Sequence, residues 1–326
     1  VADESGRAFR RRPAERGRFW SLRETLRPTL AKLEAMRRWT LGAMLVASLA
    51  VLGALGVLAI WLYRGSHGEL WPPIMVALAA GLPAMLIASL HDRYRSRFRA
   101  LLVQPLVTGF DSRLTYRPED RIAKRLFPAP GLFARRIPLG VAFRDLVEGE
   151  LGATRIRFCH ALIDDAGERF RQGAVFRGLL LDADFNKHFH GSTYVLPDRA
   201  QRLLGGVGQA LQGLDDTYGS LVKLEDPEFE RLFVVYASDQ VEARYILSSA
   251  LMQRIVDFRR RSGHAMRFGF VGSHLYLAIE RRRGLFEPPV LARLDDAVIH
   301  EFWHDLELFT GIVEDLNLNT RIWTKR

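Results

Sequence analysis

His300 and His304 stand four residues apart with Glu301 beside the first of them, in the pentapeptide HEFWH. On a helix that spacing puts two imidazoles on one face, fit to hold zinc, with Glu301 as the general base of a hydrolase. The setting argues against that chemistry. At about 100° per residue, the stripe Leu291, Leu294, Val298, Phe302, Leu306, Phe309 and Val313 marks a core-facing side. His300 and His304 fall on the opposite side, with Glu307 and Gly311. A longer HExxHxxGxxH pattern would need glycine and histidine where this chain has Glu307 and Thr310. Glu314 and Asp315 lie about 15 Å further along the helix, too far to share a metal bound near 2 Å. A ligand from earlier in the chain, such as His188 or His190, stays open. The reading is therefore no catalytic residue, no metal and no cofactor. The rival is a membrane-bound zinc metallohydrolase with His300 and His304 as ligands and Glu301 as base.

Other constellations have plainer explanations. His188 and His190 share one face of an extended segment near Asp182 and Asp184, yet without a further ligand at set spacing they read as a polar loop edge. Asp226, Glu228 and Glu230 around Pro227 suit a helix start, where carboxylates meet free backbone N–H groups. Asp239, Glu242 and Arg244 read as a structural ion-pair cluster. GGVGQ (205–209) lacks the third glycine of a dinucleotide fingerprint. The single cysteine, Cys159, allows no intramolecular disulfide and reads as a buried thiol. Two arginine triplets stand out, Arg259, Arg260, Arg261 and Arg281, Arg282, Arg283. They flank two strands joined by a tight turn, so they should converge into a basic patch for anionic lipid headgroups or a protein partner.

The distribution of charge excludes a nucleic-acid partner. The net charge is +10, but residues 1–38 hold +6 of it and residues 92–99 hold +3. From 100 to 326 there are 31 basic and 30 acidic residues, whereas a nucleic-acid binder carries its positive field on the domain itself. Here the field flanks apolar segments. Leu41 to Tyr63 contains no charged residue and is long enough to cross about 30 Å of hydrocarbon. Leu70 to Leu90 is also free of charge, with Pro72 and Pro73 at its start and Pro83 inside it. Arg37 and Arg38 precede the first segment, four arginines follow the second, and the intervening RGSHGEL holds one. The positive-inside rule then places both termini in the cytoplasm. Before the pair, Leu22, Leu26, Leu30 and Leu33 recur at helical spacing, which suits a helix lying on the membrane or a solvated basic arm.

The rest should position any site. Residues 92–110 continue as a helix, and FPAPGLFARRIPLG (127–140) is a connector. Period-two alternation then marks a strand at 155–162, with a partner strand at 174–185 and further strand candidates at 192–196, 220–224, 231–237, 266–271 and 274–280, the last two joined by Gly272-Ser273. Helices are expected at about 241–261 and 289–316. The expected fold class is α+β: a two-helix transmembrane hairpin, then a mainly antiparallel cytoplasmic sheet, a partly open barrel capped by a long C-terminal helix. The expected domains are a basic arm (1–38), the hairpin (39–91), a juxtamembrane helix and connector (92–140) and the α+β domain (141–326).

Three stretches carry a resemblance: VFRGLLLDADFNKHFHGSTYVL (175–196), LVKLEDPEFERLFVVYASDQVEARYILSSALMQRI (221–255) and IVEDLNLNTRIWTKR (312–326). Together they resemble a bacterial membrane-protein family known as domain of unknown function 3137, over most of 140–326. The resemblance implies a cytoplasmic domain anchored in the bacterial inner membrane and implies no reaction. The expected role is a non-enzymatic interaction or scaffold module.

Overall fold

In the computed structural model, helix α1 (Pro13–Tyr63) runs without a break through the basic segment and the first apolar segment, with Pro28 inside it. The structure describes residues 13–64, 71–118, 132–133, 138–165, 174–184, 188–198 and 218–316. GGVGQ, most of the 64–70 loop and of the connector, Arg7 to Arg12 and the tail after 316 lie outside the described residues. The chain folds into two compact units. One is 1–110 with 288–301; the other is 111–287 with 302–326.

In the first unit, α1 packs along α2 (Trp71–Phe98). A π-helical turn (Arg99–Val103) and α3 (Gln104–Phe110) continue from α2. The N-terminal third of α1 is neither a membrane-lying helix nor a solvated arm. Its stripe of Phe19, Leu26, Leu30 and Leu33 is buried within the protein, and Leu22 occupies the space a side chain would need at Gly109. Beyond Thr40 the character of α1 inverts: Leu45, Val46, Leu49, Leu52, Val57 and Ile60 are all exposed. Among the described residues this is one helix long and apolar enough to cross a membrane, by length and composition.

A buried ionic knot fixes residues 288–296 to this unit. Glu34 accepts two bonds from Arg37 (2.7 and 2.8 Å), one from Arg38 Nε (2.9 Å) and one from the Leu294 amide (3.0 Å). Arg37 also donates to the Val290 carbonyl at 2.9 Å, and Tyr94 donates its hydroxyl to that of Pro289 at 3.2 Å. Bonding to Arg37 holds the Glu34 carboxyl down at about 2, while burial pushes the Tyr94 hydroxyl up to about 12.

The second unit is α+β, built on a nine-stranded antiparallel sheet. Its strands are β1 (Leu114–Arg117), β2 (Pro138–Leu151), β3 (Thr154–Asp165), β4 (Ala174–Asp184), β5 (Ser192–Pro197), β6 (Ser220–Val222), β7 (Phe233–Ala237), β8 (Met266–Val271) and β9 (His274–Glu280). The order β1-β2-β3-β4-β9-β8-β5-β7-β6 leaves an open sheet, since no pairing joins β1 to β6 among the described residues. In place of the expected partly open barrel, the described strands form an open sheet.

One register row crosses all nine strands: Tyr116, Val147, Phe158, Leu181, Leu277, Phe268, Val195, Val235 and Val222. All nine are buried, as the core face of a pleated sheet requires. Phe309 of the C-terminal helix stacks on Phe158 at 4.8 Å between ring centroids. Near the sheet edge, β2 bulges at Asp145, which has a positive φ of 58° and accepts the Tyr116 hydroxyl at 2.6 Å.

Among the described residues four helices follow: α4 (Pro227–Leu232), α5 (Gln240–Ile246), α6 (Ser249–Ser262) and α7 (Asp296–Asp315). The helix expected over 241–261 is two helices. Leu247 ends α5 off helical geometry, and the Ser248 side chain caps α6 by accepting the Leu251 amide. The helix expected from 289 begins at Asp296. Before it, the Pro289 and Val290 carbonyls and the Leu294 amide bond Tyr94, Arg37 and Glu34, and Asp295 accepts the Ala297 amide at 3.0 Å. Leu291, assigned to the apolar stripe, lies outside the helix and is exposed.

Candidate functional site

The register row beside the apolar one lies on the other face of the sheet and carries the polar chemistry. Arg157 on β3 faces Asp182 on β4, Asp182 faces Tyr276 on β9, and Tyr276 faces Gly269 on β8. The row continues through Tyr194 and Tyr236. Asp182, only 2% exposed, bonds Arg157 on one side and His274 Nδ1 at 2.7 Å on the other. His274 stacks on Tyr276 at 5.8 Å and is 39% exposed at its side chain. The bond to Asp182 raises its pKa above the ordinary 6.5. Burial, and then the Asp182 charge, raise the Tyr276 hydroxyl. Chemically this is a carboxylate that fixes one imidazole nitrogen and keeps the ring cationic further up the pH scale.

Beside it, segment 188–191 closes against the β8–β9 turn. His188 Nδ1 is 3.2 Å from Ser273 Oγ, and the His188 and His190 rings are 5.9 Å apart. Phe189 between them is buried and meets Phe270 edge-on. Glu242 accepts the amides of His190 (3.0 Å) and Gly191 (2.8 Å), and Asp239 caps α5 by accepting those of Val241 and Glu242. Both carboxylates bind backbone N–H groups, and among the described residues neither pairs with the exposed Arg244. Asp226 likewise caps α4, with Pro227 at its first position.

The HEFWH residues are divided between the two units. His300 lies against Phe19 at 4.3 Å, with Trp20 at 6.5 Å. His304 is exposed, its Nδ1 3.9 Å from Glu307 Oε2. Glu307 does not share an outward face: it is buried and accepts the Trp303 indole N–H at 2.7 Å. A buried indole needs an acceptor, and the residue one turn on supplies it. No group of three His, Cys, Asp or Glu side chains suited to a metal occurs among the described residues.

The arginine triplets are not equivalent. Arg259, Arg260 and Arg261 occupy the last turn of α6, where cations complement the helix dipole, and Gly263 closes that helix at φ 67°. Arg260 pairs with Glu228. Arg281, 14% exposed, bonds Asp305 at 2.6 Å, whereas Arg282 and Arg283 are exposed. Arg259 and Arg281 both depress the His264 pKa, after burial, which is the largest cause. The Arg157–Asp182–His274 cluster escaped sequence reasoning. The sequence pattern placed each residue on a strand, but only the pairing of β3, β4 and β9 brings them together.

No curated protein matches the chain. Among solved structures, the crystal structure of the mycobacterial trehalose monomycolate transport factor A, TtfA, is similar at 12% identity. The likeness covers 68% of this chain and 95% of that one at a TM-score of 0.30, and so bears on neither fold nor function. A family model described as Protein of unknown function (DUF3137) matches residues 174–318, from β4 to just past α7 and without β1 to β3. Over residues 174–318 the chain is thus similar to the DUF3137 family.

Proposed function

We propose that the chain is a membrane-anchored interaction module without enzymatic activity. The anchor is a pair of transmembrane segments, 41–63 and 70–90, with both termini in the cytoplasm. The observation that carries this reading is the exposed apolar surface of α1 beyond Thr40. Side chains such as Leu45, Leu49, Leu52 and Ile60 are more than half exposed, a patch that a soluble monomer rarely tolerates and a bilayer covers. The charge pattern supports the orientation: Arg37 and Arg38 lie before the first segment and Arg93, Arg95, Arg97 and Arg99 after the second. A binding role for the DUF3137-like region is supported by the use of its singled-out carboxylates: Asp182, Asp226, Asp239 and Glu242 all hold backbone or neighbouring side chains. Its partner face is the arginine surface of Arg260, Arg261, Arg282 and Arg283, directed at anionic lipid headgroups or an acidic protein surface. Fractionation of cells tests the anchor. The chain should resist alkaline carbonate and high salt and leave the membrane only with detergent. Release by salt alone would contradict it.

A further inference from the structure

Where α1 and α2 change from apolar to charged, they enclose a cleft of about 390 Å³, lined by Lys32, Leu33, Met36, Trp39 and Thr40 of α1 with Leu90, Arg93, Arg97 and Leu101. From this cleft we infer a binding site for one anionic phospholipid, its phosphate held by Lys32, Arg93 and Arg97. This deepens the membrane reading and rests on it.

Three observations lead there. The first is charge. Lys32, Arg93 and Arg97 are exposed at the rim, and among the described residues none of them has a carboxylate partner. Other cations nearby do have one: Arg37 and Arg38 bond Glu34, and Arg23 bonds Asp296. Three cations gathered without an anion form a phosphate site in need of a phosphate. The second is the spacing that gathers them. Lys32, Met36 and Thr40 repeat every four residues on α1, as Arg93, Arg97 and Leu101 do from α2 into the π-helical turn, so each helix turns one stripe to the cleft. The third is depth. Trp39, 63% exposed, sits two residues before the uncharged run begins at Leu41, and Leu90 is the last residue of the second run. Arg93 is therefore about 5 Å beyond the hydrocarbon edge by helical rise, at headgroup level. Leu90 thus meets the hydrocarbon edge, and the basic rim begins just outside it, where phosphate would lie. The volume is within the roughly 300–1,000 Å³ of small-ligand pockets.

The test uses the full chain in nanodiscs of phosphatidylcholine containing a minor fraction of phosphatidylglycerol. Brominated lipid of either kind quenches nearby indoles, and the difference between the natural chain and Trp39→Phe isolates Trp39. Brominated phosphatidylglycerol should quench Trp39 at about one-tenth the mole fraction that brominated phosphatidylcholine needs. Lys32→Gln/Arg93→Gln/Arg97→Gln should bring the two to equality, while Arg27→Gln, outside the cleft, leaves the preference intact. Equal quenching by both lipids in the natural chain would overturn the site, as would a preference that survives the triple substitution. A chain that fails to enter nanodiscs at all would instead defeat the anchor reading. Helix content by circular dichroism separates a misfolded triple variant from one that has lost its ligand. If folding fails, Arg93→Gln alone must still lower the preference at least about twofold.

Discussion

Glu34 and Arg37, one turn apart on α1, share two hydrogen bonds and then divide the backbone of 290–294 between them. The carboxylate takes the Leu294 amide and the guanidinium takes the Val290 carbonyl. Neither charge is costly in this arrangement, because each is bonded on two sides.

Removing one partner should therefore be expensive. Glu34→Ala leaves the Arg37 charge buried, a loss of about 3–5 kcal/mol. Hydrogen exchange should show the Leu294 amide losing protection while the amides of β8 and β9 keep theirs. The pH dependence follows from the depressed carboxyl. Its contribution is complete above the ordinary value of 4.5 and is lost as pH falls through about 2. Protection of Leu294 should thus persist at pH 5 and fail toward pH 2.

His274 and His160 should titrate on opposite sides of the ordinary imidazole value. His274 is raised by its bond to Asp182, so its stabilising contribution is complete below 6.5 and lost as pH rises through the folded value. His160 is held down to about 4, first by burial and then by Arg177. It therefore weakens the fold as pH falls from 6.5 toward 4, and not further below that. Imidazole proton NMR should resolve the two. Asp182→Asn should lower the His274 value and cost about 3 kcal/mol by leaving Arg157 without its carboxylate. An unchanged His274 titration in that variant would refute the coupling.

The arginines of 281–283 should divide by burial. Arg281→Gln abandons Asp305, itself buried, and should cost about 2–4 kcal/mol in denaturant unfolding. Arg282→Gln, on an exposed side chain, should stay within about 0.5 kcal/mol. Equal effects would place the Arg281 side chain in solvent.

Zinc analysis separates the module from a hydrolase. The chain purified without chelator should carry well under one zinc per molecule, and EDTA should leave its thermal unfolding unchanged. Stoichiometric zinc that is lost in His300→Ala would reinstate HEFWH as a metal site.

Short-range signals made much of this fold legible. Alternation located the core of β3, short apolar runs between turn signals located β4, β5, β7, β8 and β9, and Gly272-Ser273 marked the turn between the last two. These depend on local geometry that residue types report directly. β1 and β2 escaped: β1 is only four residues, and the Asp145 bulge breaks the alternation of β2. The late start of α7 escaped for a different reason. Residues 289–294 have a helix-compatible pattern, but the Pro289 and Val290 carbonyls and the Leu294 amide are claimed by Tyr94, Arg37 and Glu34, 195 to 260 positions earlier in sequence. The site was illegible on the same ground. Arg157, Asp182 and His274 meet only through strand pairing, and no local spacing encodes which strands pair.

The central claim is that α1 beyond Thr40 lies in lipid, and Leu49, 68% exposed in the protein, reports on it directly. Cys159 is buried, so a Leu49→Cys chain takes a single nitroxide label at position 49. Reconstituted in vesicles, that label should collide readily with dissolved oxygen and hardly at all with a water-soluble nickel complex. A label at Val241→Cys, on the exposed face of α5, should show the reverse. If the nickel complex reaches position 49 as easily as position 241, the helix is in water and the membrane-anchor account is wrong.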